Sequence, residues 1–135
     1  YFLHTYLFNF QPWLPAIALG LFTTAVLNIN NLRDMDNDRK SKKITLAIKL
    51  GEKRTKIYHA ALTFGGIICL VLYSIIYKML WYQCLYMIFF IPFIVILIRI
   101  FQIKDNSKLD PFLKYTSIAT FFLSISFVLS LNIFL

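Results

Sequence analysis

Acidic residues are few in this chain, and cysteine, glycine and proline are fewer still. Six Asp/Glu stand against fourteen Lys/Arg in 135 residues. Four Gly and four Pro leave little room for disorder, and no self-similar period is present. The two cysteines, Cys69 and Cys84, lie inside apolar runs at no spacing that suits a disulfide framework or a metal cage. They read as inert thiols in a core or against lipid. The first 32 residues hold no charged side chain apart from His4 when it is protonated. The chain starts at Tyr1 without an initiator Met or a basic n-region, so no signal peptide is expected.

What the chain has instead is apolar length. Hydrophobic residues make up 59%, aromatic residues 18%, and mean hydropathy is +0.69, above the usage of soluble domains. A net charge of +8 raises the possibility of a nucleic-acid partner. The cations, however, interrupt long apolar runs, which is a membrane pattern, and nucleic acid is set aside.

Pro12 and Pro15 break the early part, which places a first span at about residues 13–29. Lys56 and Lys78 bracket an uncharged second span, 57–77, and Lys78 and Arg99 bracket a third, 79–98. After Lys114 the remaining residues, 115–135, carry no charge and form a fourth. Each approaches the ~20 residues that a helix needs to cross the hydrocarbon layer. Open sheet edges are not viable there, so the expected fold is an all-α, polytopic transmembrane helical bundle of four spans. Nine Lys/Arg follow the first span, and Arg99, Lys104, Lys108 and Lys114 flank the connection after the third. Only Lys78 lies between the second and third. The positive-inside rule therefore puts both basic loops in the cytoplasm. Trp13, Tyr77, Trp81, Tyr82 and Tyr115 fall near span ends, as an aromatic belt would have them. In the second span Ala61 and Gly65, beside Ala60 and Gly66, suggest close helix packing. His59 reads as an interfacial residue, with no second His or Cys at metal spacing.

The polar centre is Asn30–Gly51, NNLRDMDNDRKSKKITLAIKLG. If the first helix continues past Ile29, Asn30, Asp34 and Asp38 stack on one face with Asn31 beside them. Asp36, about 200° round from Asp34, faces elsewhere. Two carboxylates one turn apart repel each other unless a cation lies between them. Mg²⁺ suits that position, because it takes hard oxygen ligands and is commonly held by one or two carboxylates plus substrate phosphates. A solvated mixed-charge loop that only caps a helix and fixes topology is the competing reading. Asn30 and Asn31 at the membrane end weigh against it, since polar groups there are disfavoured unless satisfied.

The string Asn30-Asn31-x-Arg33-Asp34-x-x-x-Asp38-Arg39-Lys40-x-x-Lys43-x-Thr45-Leu46-Ala47-x-x-Leu50-Gly51 resembles the second aspartate-rich motif of the UbiA superfamily of membrane prenyltransferases. Its opening and its Lys-x-Thr-Leu-Ala close are most similar to the branch acting on 1,4-dihydroxy-2-naphthoate in menaquinone synthesis. The resemblance implies that Asp34 and Asp38 bind Mg²⁺ on a polyprenyl diphosphate, with Asn30 or Asn31 in support. It further implies that Arg33, Arg39 and Lys43 meet the diphosphate or the acceptor carboxylate, and that Thr45 orders the loop. It carries a multi-pass location in the cell's inner membrane with the motif loop cytoplasmic. An alternative within the family is another aromatic acceptor, such as 4-hydroxybenzoate or homogentisate. An alternative outside it is a non-catalytic membrane module whose basic loop binds anionic lipid. Two departures stand out. Lys42 and Ile44 occupy places where a small or a basic residue is expected, and no earlier aspartate-rich motif precedes Asn30. The expectation is thus the C-terminal half of an enzyme, lacking one metal site and inactive alone.

Overall fold

The computed structural model describes residues 10–132; His4 and the last three residues of the fourth expected span lie outside that range. Among the described residues six α-helices follow one another: α1 (Trp13–Arg33), α2 (Met35–Lys40), α3 (Leu46–Leu50), α4 (Glu52–Ile76), α5 (Phe90–Gln102) and α6 (Asp110–Asn132). Two 3₁₀ helices, Gln83–Phe89 and Asn106–Leu109, lead into α5 and α6. No strand occurs among the described residues. Among the described residues four segments are long and apolar enough to cross a membrane: Trp13–Arg33, Glu52–Ile76, Gln83–Gln102 and Asn106–Leu131. The all-α, four-span reading holds.

The boundaries differ from expectation for local reasons. The second span begins at Glu52 rather than beyond Lys56, because Lys53, Arg54 and Lys56 ride in the first turns of α4. The third begins as a 3₁₀ helix. Pro92 lacks an N–H and its ring obstructs the carbonyl of residue 88, so regular α-helix starts only at Phe90, with the proline in its first turn.

α1 is the central helix, packed along α4 and against α6, while α5 lies on α6 and α4. One core unites Ala18, Phe22, Leu70, Tyr73, Phe93 and Phe127. Within it the rings of Phe22 and Phe93 approach to 4.5 Å, and the Tyr86 hydroxyl is satisfied by Ser74 at 2.6 Å and the Leu70 carbonyl at 3.0 Å. A second core lies at the motif end and joins Ile29, Leu32, Ala47, Ile96, Ile100 and Leu109. Large apolar side chains such as Ile17, Phe64, Ile68, Val95 and Phe121 stay exposed on the outside. That distribution is inverted for a water-soluble bundle and ordinary for one solvated by lipid.

The close approach between α1 and α4 is centred on Gly66, where an added Cβ would stand 2.7 Å from the Phe22 ring. Gly65 meets Leu21, but Ala61 is exposed, so the small-residue contact is not built on the Ala61–Gly65 pair. His59 faces the interior of the bundle. It is 2% exposed, wedged between α4 and α1 with a hydrogen bond to the Ala25 backbone. The periodicity that buries Gly66 also buries Thr55, Leu62 and Tyr73, and it turns His59 inward with them.

Candidate diphosphate site at the motif end of the bundle

Three local structures shape the motif. The first is a near-continuous helix. α1 and α2 are separated only at Asp34, whose φ of −86° and ψ of 2° leave the ideal helix briefly. The i→i−4 bonds nevertheless run through: the Asp34 N–H reaches the Asn30 carbonyl at 3.0 Å and the Asp38 N–H reaches the Asp34 carbonyl at 2.8 Å. Asn30, Asp34 and Asp38 therefore remain on one stripe. The second is the stop of α2. Lys42 takes a left-handed φ of 57°, its N–H bonds the Arg39 carbonyl at 3.2 Å, and the Lys43 N–H closes on the Asp38 carbonyl at 2.9 Å. This is a Schellman cap with lysine where glycine is usual. It brings Lys43 back beside Asp38. The third is the start of α3, where Thr45 accepts from the Ile48 N–H at 3.4 Å; a Thr cap of this kind contributes about 1 kcal/mol. Gly51 then turns the chain into α4 with φ 76° and ψ 161°, a conformation nearly confined to glycine.

Two charge clusters result. Arg33 Nε donates to Asp34 Oδ1 at 2.8 Å, and its Nη2 donates to Asp34 Oδ2 at 3.0 Å and to Asn30 Oδ1 at 2.9 Å. Its Nη1 donates to Asp110 Oδ1 at 2.6 Å. Asp38 is 8% exposed. Its Oδ1 accepts from Lys43 Nζ at 3.3 Å, and its Oδ2 is buried with no partner. A buried carboxylate oxygen left unsatisfied costs stability and calls for an explanation. Asp36 and Arg39 form a loose 3.7 Å pair on the exposed face, so Arg39 does not join Arg33 and Lys43. Asn31 is half-buried on the side adjoining the stripe, and Ile44 is exposed.

The Asp34 carboxyl lies below the usual carboxylate range. The hydrogen-bonded Arg33 guanidinium is the main cause, burial opposes it, and the charges of Arg33 and Lys43 add to the lowering. A depressed folded-state value gives stability that is present above the unfolded value of about 3.9 and is lost as pH falls through the folded one. The thermal stability of wild type in detergent is accordingly expected to exceed that of Asp34→Asn by a constant margin from about pH 8 to about pH 5. The margin narrows below about pH 4. A margin already changing near neutrality would mean that Asp34 is not held as the anion.

Two contributors escaped the sequence reading. Asp110 sits 77 positions from Arg33, and nothing local marks it as a partner. Lys56 is 7% exposed and clamps the start of α4 to the connection after α5, donating to Glu52 Oε1 at 2.7 Å and to the Ile103 carbonyl at 2.6 Å. The only hint was that both basic loops belonged at the same end. Alongside them, Asn28 is buried and donates to the Thr55 carbonyl at 3.1 Å, fixing α1 to α4 just below the motif.

Residues 1–126 match the UbiA prenyltransferase family. The chain belongs to this family. The 1,4-dihydroxy-2-naphthoate octaprenyltransferase of Haemophilus influenzae is 33% identical over 133 residues, covering 98% of this chain and 43% of that protein. The enzyme of the same name from Escherichia coli is 53% identical over 62 residues, 46% of this chain and 20% of that protein. A Drosophila melanogaster protein, the UbiA prenyltransferase domain-containing protein 1 homolog, is 32% identical over 119 residues, 85% of this chain and 31% of its own. The chain thus spans less than half the length of these UbiA relatives. No solved structure matches it.

Proposed function

We propose that the chain is the C-terminal four-helix part of a membrane prenyltransferase acting on polyprenyl diphosphate and 1,4-dihydroxy-2-naphthoate. The observation that carries the reading is Asp38, buried on the stripe of Asn30 and Asp34 with one oxygen on Lys43 and the other unpartnered. A hard divalent cation would supply what that oxygen lacks. Among the described residues no group of three or more Asp, Glu, His or Cys forms a closed cage. Two carboxylates with substrate phosphates completing the shell are the arrangement that Mg²⁺ favours. The residues present fit such an ion, held by Asp34 and Asp38, where it would neutralise diphosphate charge.

The chain's own residues have these tasks. Lys43, and Arg33 once it is drawn from Asp34, offer N–H donors to the diphosphate oxygens as the allylic C–O bond breaks and both electrons leave with the phosphate. Asn30 keeps Arg33 on the stripe. Thr45 and the Schellman turn hold Lys43 at Asp38. The acceptor ring supplies the electrons for the new C–C bond, and loss of CO₂ and a proton restores the aromatic hydroquinone, demethylmenaquinol, the reduced form of demethylmenaquinone. The names of the bacterial relatives support this acceptor. The charge of the basic loops at the motif end favours the cytoplasmic side for them, and the proposed enzyme would sit in the inner membrane.

The test is an assay of the complete protein, purified in detergent, with a polyprenyl diphosphate and each of 1,4-dihydroxy-2-naphthoate, 4-hydroxybenzoate and homogentisate. Mg²⁺-dependent turnover confined to the naphthoate is the expected result. Turnover on another acceptor would overturn the acceptor assignment. Binding to anionic vesicles with no turnover on any acceptor would overturn catalysis.

A further inference from the structure

We propose that Asp110 is a positioning residue for the diphosphate site: it shares the Arg33 guanidinium with Asp34 and so keeps Asp34 available to a metal ion. The inference rests on the diphosphate reading of the motif and extends it to a residue on another loop.

The geometry around Arg33 leads there. A guanidinium has five N–H donors, and four hydrogen bonds leave this one: two to the oxygens of Asp34, one to Asn30 and one to Asp110. Both oxygens of Asp34 therefore accept from Arg33. Arg33 and a cation are competitors for that carboxylate, since each stabilises the same anion and they repel one another. A guanidinium with no other anion nearby would settle wholly on Asp34 and oppose the cation strongly. Asp110 provides the other anion, approaching Nη1 from the far side at 2.6 Å. When Arg33 gives up Asp34 it keeps a charged partner, and it stays at the stripe, where its freed donors face incoming phosphate.

The carrier of Asp110 is well placed for the task. It opens α6 directly after the 3₁₀ helix Asn106–Leu109. That turn is fixed from below by Leu109, which is fully buried in the core with Ile29, Leu32 and Ala47. It is fixed at its start by Asp105, whose carboxylate accepts from the Ser107 N–H at 3.1 Å and hydroxyl at 2.7 Å. The Asp110 side chain itself is 72% exposed. It is not packed there, and among the described residues its one hydrogen-bonded or ion-paired contact is Arg33. Nothing else in its surroundings requires an acid except the start of α6, where any carboxylate gains from the helix dipole.

The measurement is Mg²⁺-dependent binding of inorganic pyrophosphate to the complete protein in detergent, followed by calorimetry and compared among variants. Asp110→Asn is expected to raise the Mg²⁺ concentration at half-binding by about tenfold, in the range that outer partners of metal ligands show. Asp110→Glu should restore it. In an Arg33→Ala background Asp110→Asn should add nothing, because its effect runs through the guanidinium. A merely structural acid at the start of α6 would instead lower thermal stability in both backgrounds and leave the Mg²⁺ midpoint where it was; that result overturns the proposal alone. If pyrophosphate binding by wild type ignores Mg²⁺, or survives Asp34→Asn unchanged, the diphosphate reading fails and takes this proposal with it.

Discussion

Asp38→Ala in the complete protein is expected to cut Mg²⁺-dependent prenyl transfer by at least about a hundredfold, the scale on which single charge-stabilising groups act. Stability should be hardly affected. Asp38 Oδ2 is buried without a partner, and an unsatisfied buried acceptor costs about 1–3 kcal/mol. Its one ion-pair partner, Lys43, has a side chain 62% exposed and returns to water at little cost. Removing the carboxylate therefore relieves a cost at least as large as the worth of the pair it breaks. The expected signature is lost activity at unchanged or raised thermal stability, as for groups kept for function at the expense of the fold. Asp34→Ala should lose activity on a similar scale. Asp36→Ala is the internal control. Asp36 is exposed on the opposite face, paired loosely with Arg39. A basic loop that only sets topology or gathers anionic lipid would respond alike to all three substitutions. Equal activity losses at Asp36 and Asp38 would sink the site.

The sequence already contained most of this arrangement, for a physical reason. Membrane crossing is a constraint on every residue of a span, so uncharged runs and the cations between them locate four helices without tertiary knowledge. The Asn30–Asp34–Asp38 stripe follows from helical period alone, and it survives because the backbone ladder bridges the irregularity at Asp34. What stayed hidden depends on contacts between distant segments. Asp110 shows no sign of a partner until α6 is laid beside α1. Lys56 reads as a topogenic charge until the Ile103 carbonyl is found 2.6 Å away. His59 belongs to the same class, because its place on α4 is set by the face that Gly66 turns toward Phe22. Lys42 shows the reverse case. It looked like a departure from pattern, and the structure puts it at the left-handed position of a helix stop, where backbone conformation explains the preference for a small residue.

Gly66 is the position whose substitution should do most damage to the fold. In an open helical position Gly→Ala stabilises by up to about 1 kcal/mol, because alanine has the better helix propensity and the less free unfolded chain. Gly20 is such a position, with nothing within 4 Å of an added Cβ. At Gly66 the same methyl would lie 2.7 and 2.9 Å from three atoms of the Phe22 ring, inside contact distance. The ring cannot swing clear, since Phe22 is 1% exposed and its other side meets Phe93 at 4.5 Å. Overpacking of this kind costs about 1–3 kcal/mol, more than propensity returns. Within lipid the loss weighs heavily, because helix association there rests on close packing rather than on exclusion of water. Gly66→Ala is expected to lower the detergent thermal midpoint, and Gly66→Leu to leave little folded protein. Gly20→Ala should hold or raise the midpoint. Activity should fall with Gly66→Ala as well, since moving α1 against α4 strains the Asn28–Thr55 bond just below the stripe. Phe22→Leu combined with Gly66→Ala is the deciding variant. The smaller side chain makes room for the methyl, so stability should recover in part; no recovery would mean that the ring is not what Gly66 accommodates.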